Sequence, residues 1–484
     1  MEKKIFSGAE IIWESLLKEG VDTVFGYPGG AILPTYDALN NYSDRIHHVL
    51  VRHEQGATHM ADGYSRVSGK IGVAIATSGP GAANMVTGLA TAMMDSSPIV
   101  CITGQVPSAA IGSDAFQEMD ISGAVIPVTK HSYLVMDVND IAKTIKEAFA
   151  IARSGRPGPV LVDIPKDIQA QKIEFKYPEE PVLIPGLPPI QNPEIEDLEK
   201  AAKLIMAAKK PFILAGHGIL ISGASKEVIQ LAELANIPIG WTLLGSGAVP
   251  SSHPLNMGMM GMHGEFSVNN AIQEADLLIA CGMRFDDRVT GNAATYSPNS
   301  KKIHIEVDPS EINKNIKVDL GIIGDLRTVL KQLNPLINQQ SNNQWIETLI
   351  NWQKQSTQRD IINIKTETLY AAQAIHDIWS ETKGDAIVVS DVGQHQMLEA
   401  QYYKHDEPNT LLTSGGLGTM GFSLPAAIGA SFYRKDKQIW VIVGDGSIQM
   451  TITELATAVQ ENANIKIAII NNGYLGMVRQ WQQL

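Results

Sequence analysis

Gly444-Asp445-Gly446, followed two dozen residues later by Asn471-Asn472, is the stretch on which the reading of this chain turns. Ile439–Val443, just before it, is an apolar run that reads as a buried strand. The strand runs straight into the glycines, where the backbone must turn tightly and leave room for a ligand. Thr451-Ile-Thr-Glu454 fits a capping box, and Ile452, Leu455, Ala456 and Val459 then recur at helical spacing, so an amphipathic helix is expected there. Lys466–Ile470 reads as a second apolar strand that ends on the Asn pair. The whole is one βαβ unit. It places Asp445 and Asn472 at the carboxyl ends of neighbouring parallel strands, the edge where open α/β sheets bind ligands. A carboxylate oxygen and an amide oxygen suit a hard cation such as Mg²⁺, which usually keeps a phosphate as a further ligand. Gly-Asp-Gly alone is better explained as an ordinary turn. With the Asn pair at this distance, a phosphate-and-metal clamp is the better reading.

Composition narrows the setting. The 484 residues are too many for one core and imply two to four domains. A hydrophobic fraction of 44% and a charged fraction of 18% fit a soluble globular protein. The net charge of −13, with no basic block, excludes nucleic acid as a partner. Cys101 and Cys281 each sit in an apolar strand-like run and read as buried free thiols in a reducing compartment. No apolar run is long enough for a membrane span. Met1–Phe6 leads directly into a capped helix at Ser7-Gly-Ala-Glu10, so no signal or transit peptide is expected.

Upstream of the opening motif the chain alternates strands, glycine-rich loops and helices. The strand Val24-Phe25 feeds Gly26-Tyr27-Pro28-Gly29-Gly30, and Val49–Val51 feeds Arg52-His53-Glu54 at a helix start. The simple account of Glu54 is a first-turn acid that complements the helix dipole. Ile71–Thr77 feeds Ser78-Gly79-Pro80-Gly81, and Pro98–Thr103 is the next strand. A proline-rich stretch over Gln171–Pro193 reads as a linker. A second α/β region carries strands at Phe212–Ala215, Ala275–Cys281 and Lys302–Val307, with Asp308 and Asp325 just past strand-like runs. Asn334–Asn363, rich in Gln and Asn, reads as a second linker with an amphipathic patch around Trp345–Trp352. A third α/β region starts near Leu369, with a strand at Ala386–Ser390 and a glycine-rich loop at Ser414–Gly421. Gly416-Leu-Gly418-Thr-Met-Gly421 matches GxGxxG formally, but no strand precedes it at the right distance, so a dinucleotide fingerprint is rejected.

Gly-Asp-Gly followed at this distance by Asn-Asn resembles the thiamine-diphosphate (ThDP) signature of ThDP-dependent enzymes. Nearly the whole chain resembles the acetolactate synthase (acetohydroxyacid synthase) large-subunit family. The motifs that carry the likeness are Phe25–Pro34, Arg52–Ala57, Thr77–Gly81, Gly104–Pro107, Asp114–Glu118, Val128–His131, Gly155–Asp163, Gly261–Gly264, Arg284–Gly291 and Ser414–Gly421. The resemblance implies an α/β protein of three flavodoxin- or Rossmann-like doubly wound domains. Residues 1–168 would bind the ThDP pyrimidine, 194–335 FAD and 367–484 the diphosphate, with linkers at 169–193 and 336–366. Family members continue beyond the point where this chain stops, so the third domain is expected to be incomplete and to leave a parallel edge strand open.

The resemblance also implies the chemistry: decarboxylation of pyruvate and carboligation to a second pyruvate or to 2-ketobutyrate, the first common step toward valine, leucine and isoleucine. A 2-keto acid can lose CO₂ only if the carbanion left behind is stabilised, and a thiazolium ring does that where no side chain can. By the likeness, Glu54 favours the reactive tautomer of the aminopyrimidine, Met420 wedges the cofactor into a bent shape and Gln117 lies near the reacting centre. ThDP contacts fall on Tyr27, Gly30, Glu54, Pro80, Asn84, Val392, Gly418, Met420, Gly446 and Ser447. Mg²⁺ falls to Asp445, Asn472 and the backbone carbonyl of Tyr474, a position that is acidic in some relatives. Structural FAD would meet Arg156, Gly216, Gly218, His263, Arg284, Glu306 and Asp325, and the substrate channel would hold Phe116, Lys166, Arg284 and Trp481. A homodimer with active sites at its interface, a small regulatory subunit and a cytoplasmic or plastid-stroma location are further implications. The competing readings are a pyruvate oxidase, a flavin-free catabolic acetolactate synthase and a non-catalytic ThDP-fold subunit. The Arg284–Gly291 and Asp114–Glu118 stretches speak against the first, Arg284–Gly291 against the second, and the joint presence of Glu54, Asp445 and Asn472 against the third.

Overall fold

The computed structural model describes residues 5–182, 184, 192–358, 360–364 and 367–483. The expectations that fall on 1–4, on most of 183–191 and on 365–366 lie outside these residues. The elements form three parallel-stranded sheets and one short antiparallel ribbon. Strand β1 (Ile5–Ser7) pairs antiparallel with β8 (Lys172–Glu174). Ser7 then caps the helix Gly8–Lys18 through the expected capping box with Glu10.

The first sheet holds β2 (Thr23–Gly26), β3 (His47–Leu50), β4 (Gly72–Ala76), β5 (Ile99–Gln105), β6 (His131–Leu134) and β7 (Val160–Pro165). Their order is β3-β2-β4-β5-β7-β6, all parallel. The second sheet holds β9 (Pro211–Ala215), β10 (Ile239–Trp241), β11 (Asn256–Met259), β12 (Leu277–Cys281), β13 (Lys301–Glu306) and β14 (Leu320–Ile323), in the order β11-β10-β9-β12-β13-β14. The third holds β15 (Ala386–Ser390), β16 (Leu411–Thr413), β17 (Gln438–Gly444) and β18 (Ile465–Ile470), in the order β16-β15-β17-β18. Strands β4, β5, β7 and β12 are buried along their whole length, as strands covered by helices on both faces must be.

These orders decide where ligands can bind. In the first sheet the chain winds outward from β2 to β3 and then, from β4 on, in the opposite direction, the flavodoxin-like pattern. The second has the Rossmann pattern, with the reversal between β9 and β12, and the third reverses between β15 and β17. In open α/β sheets the loops that flank such a reversal diverge at the carboxyl edge, and ligands bind in the crevice between them.

The first and third sheets belong to one compact unit, and the second sheet with the helices Ala371–Thr382 and Gln394–Tyr402 forms another. In the former the helices Glu54–Ser68 and Ser423–Ser431 cross closely. A Cβ at Gly63 would collide with the Ala426 carbonyl, and one at Gly429 with the Met60 carbonyl. Beside this crossing Arg66 is buried between Asp62 and Asp95 and also donates to the Thr413 carbonyl at 2.8 Å. Such a group is affordable inside a core only because every charge has a partner.

Three sequence expectations change. Thr451 makes no capping bond; its hydroxyl donates instead to the Gly421 carbonyl at 2.9 Å. The helix after it, Leu455–Gln460, lies with its polar side inward: Glu454 and Thr457 are buried, while Ile452, Leu455 and Val459 are exposed, Val459 at 78%. Hydrogen-bond partners on the facing element outweigh apolar burial here. Finally, the 336–366 stretch expected as a linker carries the helix Asn343–Thr357, whose Trp345 and Leu349 are buried. The Trp345 indole donates to the Pro211 carbonyl at 3.0 Å and meets Trp352 edge-to-face, which anchors an otherwise polar helix.

Cys101 and Cys281 are free and buried; burial pushes both thiols up, Cys281 to about 12. No helix among the described residues is long and apolar enough to cross a membrane.

Candidate active site

Two of the three crevices fall in the same compact unit. At the first, β3 ends at Leu50 and the chain turns through Val51–His53 into the helix Glu54–Ser68, with His53 as the N-cap residue. Glu54 is therefore the first helical residue, as its place after a strand foretold. It is 8% exposed. Oε2 accepts from Asn84 Nδ2 at 2.9 Å, and Asn84 ends the short helix Pro80–Ala83 that follows β4. Oε1 takes no protein donor among the described residues and lies over Gly81, where a Cβ would come within 3.1 Å. One oxygen is held and the other is presented to a space kept open by a glycine. Glu54 also pushes up the phenol of Tyr36, after burial, the larger cause. The other candidates at this edge, Tyr27 and Gly30, lie in the β2 loop, with Ala31 N donating to Thr77 Oγ1 at 3.1 Å to tie that loop to the end of β4.

The third sheet supplies the second crevice. Gly444 pairs with Ile470 in the parallel ladder, so Asp445 and Asn472 leave adjacent strand ends. Asn472 Oδ1 accepts from Tyr474 N at 2.9 Å, which folds the Gly473 turn back and brings the Tyr474 backbone beside the amide. Asp445 opens the helix Asp445–Met450, and Ser447 Oγ donates to the Val392 carbonyl at 3.3 Å across the reversal. Gly418 has φ +71 and only Val392 within 4 Å of a hypothetical Cβ, so the loop that bears Met420 is open on that side.

Asp391 organises this edge, and the sequence reading passed over it. The residue directly follows β15, and its buried carboxylate accepts from Val392 N, Gly421 N, Ser423 N and Ser423 Oγ at 2.7–2.9 Å. Its position after a strand was the same signal that marked Asp445. Asp95, from the first sheet's side of the unit, accepts from Gly415 N and Gly416 N at 3.2 and 2.7 Å and so fixes the start of the loop.

These residues fit the groups that the motifs imply. Among the described residues no three His, Cys, Asp or Glu side chains gather as a metal cluster. One carboxylate, one amide oxygen and one backbone carbonyl form a hard oxygen set that Mg²⁺ accepts when phosphate and water complete it. A buried carboxylate with one free oxygen is the group needed beside a ring nitrogen.

The second sheet has its own crevice, between β9 and β12. Gly216 and Gly218 pack on Gly282; a Cβ at Gly216 would collide with the Gly282 carbonyl. Their glycine identity is thus required by backbone packing. Asp325 caps the helix Leu326–Leu333 by accepting from Thr328 N at 2.9 Å, and Glu306 accepts from Val307 N at 2.9 Å. The Arg284 guanidinium takes no partner among the described residues, which suits an anion. His263 is half-buried; burial and Arg288 lower its pKa, and its carbonyl accepts from Gln401. Arg156 belongs to the other unit, where Nε donates to Ser96 Oγ at 2.8 Å. Phe116 is 88% exposed, Gln117 has a strained φ of +60, Lys166 opens the helix after β7, and Trp481 is exposed on the helix Gly476–Gln483.

Comparison with known proteins now bears on this geometry. Family models for the thiamine pyrophosphate enzymes match in chain order: the N-terminal TPP binding domain over residues 6–124, the central domain over 198–333 and the C-terminal TPP binding domain over 391–484. The chain is 46% identical to the large subunit of acetolactate synthase isozyme 3 of Escherichia coli, covering 99% of this chain and 85% of that protein. It is 49% identical to the acetolactate synthase large subunit of Corynebacterium glutamicum, over 99% and 77%. A probable acetolactate synthase large subunit of Methanococcus aeolicus is 47% identical, over 99% and 82%. Each of the three matched domains falls on one of the three sheets, and the chain belongs to the acetolactate synthase large-subunit family of thiamine pyrophosphate enzymes.

Proposed function

We propose that this protein acts as an acetolactate synthase, a transferase that decarboxylates pyruvate and joins the two-carbon remainder to a second 2-keto acid. With pyruvate as acceptor the product is acetolactate, and with 2-ketobutyrate it is acetohydroxybutyrate, at the start of branched-chain amino acid synthesis. The observation that carries this reading is the likeness at 46–49% identity over 99% of the chain, with the buried Glu54 at the expected strand end.

The division of labour is proposed as follows. Residues 1–168 hold the pyrimidine end of thiamine diphosphate, 367–484 the diphosphate end and 194–335 a structural FAD. When bound, the thiazolium supplies the electron sink that makes loss of CO₂ possible. The chain's own groups do the rest. Glu54, low in dielectric and steadied by Asn84, takes and returns a proton at Oε1. Asp445, Asn472 and the Tyr474 carbonyl hold Mg²⁺ and through it a diphosphate. Met420, on the loop fixed by Asp391 and Asp95, would wedge the cofactor into its bent shape. Arg284 serves the second substrate's carboxylate or the flavin, and Gln117, Phe116, Lys166 and Trp481 line the approach. A homodimer that completes the site, and a regulatory small subunit like the one that the relatives' large-subunit names imply, belong to this proposal. The exposed apolar side chains Met450, Ile452, Leu455 and Leu475 near the Asp445 edge support a covered face there.

An assay of acetolactate from pyruvate, with thiamine diphosphate, Mg²⁺ and FAD each omitted in turn, tests the proposal. Activity that needs the first two, with flavin absorbance in the purified protein, is expected. Hydrogen peroxide release in place of acetolactate would sink it in favour of an oxidase.

A further inference from the structure

Glu454 was singled out as the last residue of a capping box, yet it caps no bond of its own helix. Its carboxylate is fully buried and points at the turn that leads into Glu54. Oε1 accepts from Arg52 N and from His53 N, each at 3.0 Å, and Oε2 accepts from Thr457 Oγ1 at 2.7 Å. A Cβ at Gly56 would collide with Oε1, so the first turn of the Glu54–Ser68 helix is shaped around this group. Two more residues of the same helical face join in. The Thr457 hydroxyl, its proton on Glu454 Oε2, packs 3.4 Å from the Leu50 carbonyl, and Gln460 Oε1 accepts from the Arg52 guanidinium at 2.8 Å, which in turn donates to the Leu50 carbonyl. Residues 454, 457 and 460 therefore stitch down residues 50–53, and this is why the helix Leu455–Gln460 turns its polar side inward.

The arrangement is expensive for mere packing. Burial raises the Glu454 pKa, while the Thr457 hydroxyl and the two N–H groups oppose it. An apolar side chain would fill the space without that cost, but it would leave Arg52 N and His53 N without their acceptor.

We propose that Glu454 is the positioning residue for Glu54: it clamps the β3-to-helix turn through Arg52 N and His53 N and so fixes where the Glu54 carboxylate points. The inference rests on the reading of Glu54 as the group that faces the aminopyrimidine. It also ties the two crevices together, because the segment that starts with Asp445 ends in this clamp.

The test measures exchange of the C2 proton of bound thiamine diphosphate by quenched NMR, beside cofactor affinity by calorimetry and turnover, in the holoenzyme with Mg²⁺ and FAD. Glu454→Ala should slow exchange and turnover together by about 100-fold, the scale of a small misplacement of a catalytic group, with cofactor affinity changed by no more than about threefold. Glu454→Gln keeps an oxygen that can accept from both N–H groups and should restore most of the exchange. If Glu454→Ala does not fold, Glu454→Asp, one methylene shorter, should fold and show an intermediate loss of exchange at the same affinity. Exchange at the parent rate in Glu454→Ala, or in Glu454→Asp where that variant has to stand in, overturns the proposal. Glu54→Gln is measured in parallel. If it leaves exchange unchanged, the reading of Glu54 itself fails; if it abolishes exchange while Glu454→Ala does not, only the positioning role fails.

Discussion

Glu54 and Asn472 lie at the carboxyl edges of two sheets in one compact unit, and their surroundings could hardly differ more. Glu54 is buried, held by Asn84 on one oxygen, and enters a helix whose approach is clamped by a second buried carboxylate. Asn472 is exposed, Tyr474 is 56% exposed, and β18 beneath them is only half-buried along most of its length. A proton-transfer group gains from a fixed, low-dielectric seat prepared before the substrate arrives. A metal and phosphate clamp is completed by its own ligand, since Mg²⁺ draws in oxygens from several sources and keeps some water. Among the described residues the first edge is closely packed and the second is open.

That contrast can be broken at four points. Glu54→Gln should lower turnover by roughly 10²–10⁴-fold while calorimetry still registers cofactor binding; full turnover would remove the acid–base role from the first edge. Asp391→Ala should destabilise the fold itself, because three buried donors lose their acceptor at about 1–3 kcal/mol each and the part-buried Val392 N loses its own, partly offset by relaxation. A denaturant titration reads this directly, and an unchanged midpoint would mean that the loop around Gly421 is held by something else. Asn472→Ala should leave the unfolding free energy from the same titration within about 0.5 kcal/mol, as exposed sites do. Its effect should instead be a rise of roughly 10–100-fold in the Mg²⁺ concentration needed for half activity, the scale seen when a metal's coordination surroundings lose one partner. Smallest of all, Val459→Ser should change stability by less than about 0.5 kcal/mol, given its exposure. A larger loss that grows with protein concentration would show that this apolar face is buried in an assembly.

Much of this architecture could be read from the chain. Parallel strands buried on both faces appear as short unbroken apolar runs, and Ile99, Leu277 and Ile439 each begin one. Such runs also placed Glu54 and Asp445 at the carboxyl ends of strands with no structure at all, the edge where open α/β sheets bind ligands. Asp391 carries the same mark but stands beside no glycine pair or Asn pair, so nothing called attention to it. The Asn343–Thr357 helix was taken for a linker because its few buried residues, Trp345 and Leu349 among them, are diluted by Gln and Asn. Asp325, expected by the resemblance to meet FAD, also caps the helix Leu326–Leu333, a local role that any residue after a strand can fill.

Local pattern thus determined the strands, their alternation with helices and the residues at the strand ends, since burial and turn chemistry act over a few residues at a time. Tertiary structure alone decided which strand ends share a crevice, which way the Leu455–Gln460 helix faces, and that Glu454 serves a turn some 400 positions away in the sequence. Those outcomes rest on hydrogen bonds and sheet order between distant segments. A buried N–H accepts whichever carboxylate the fold delivers to it, and no periodicity in the chain records which one that will be.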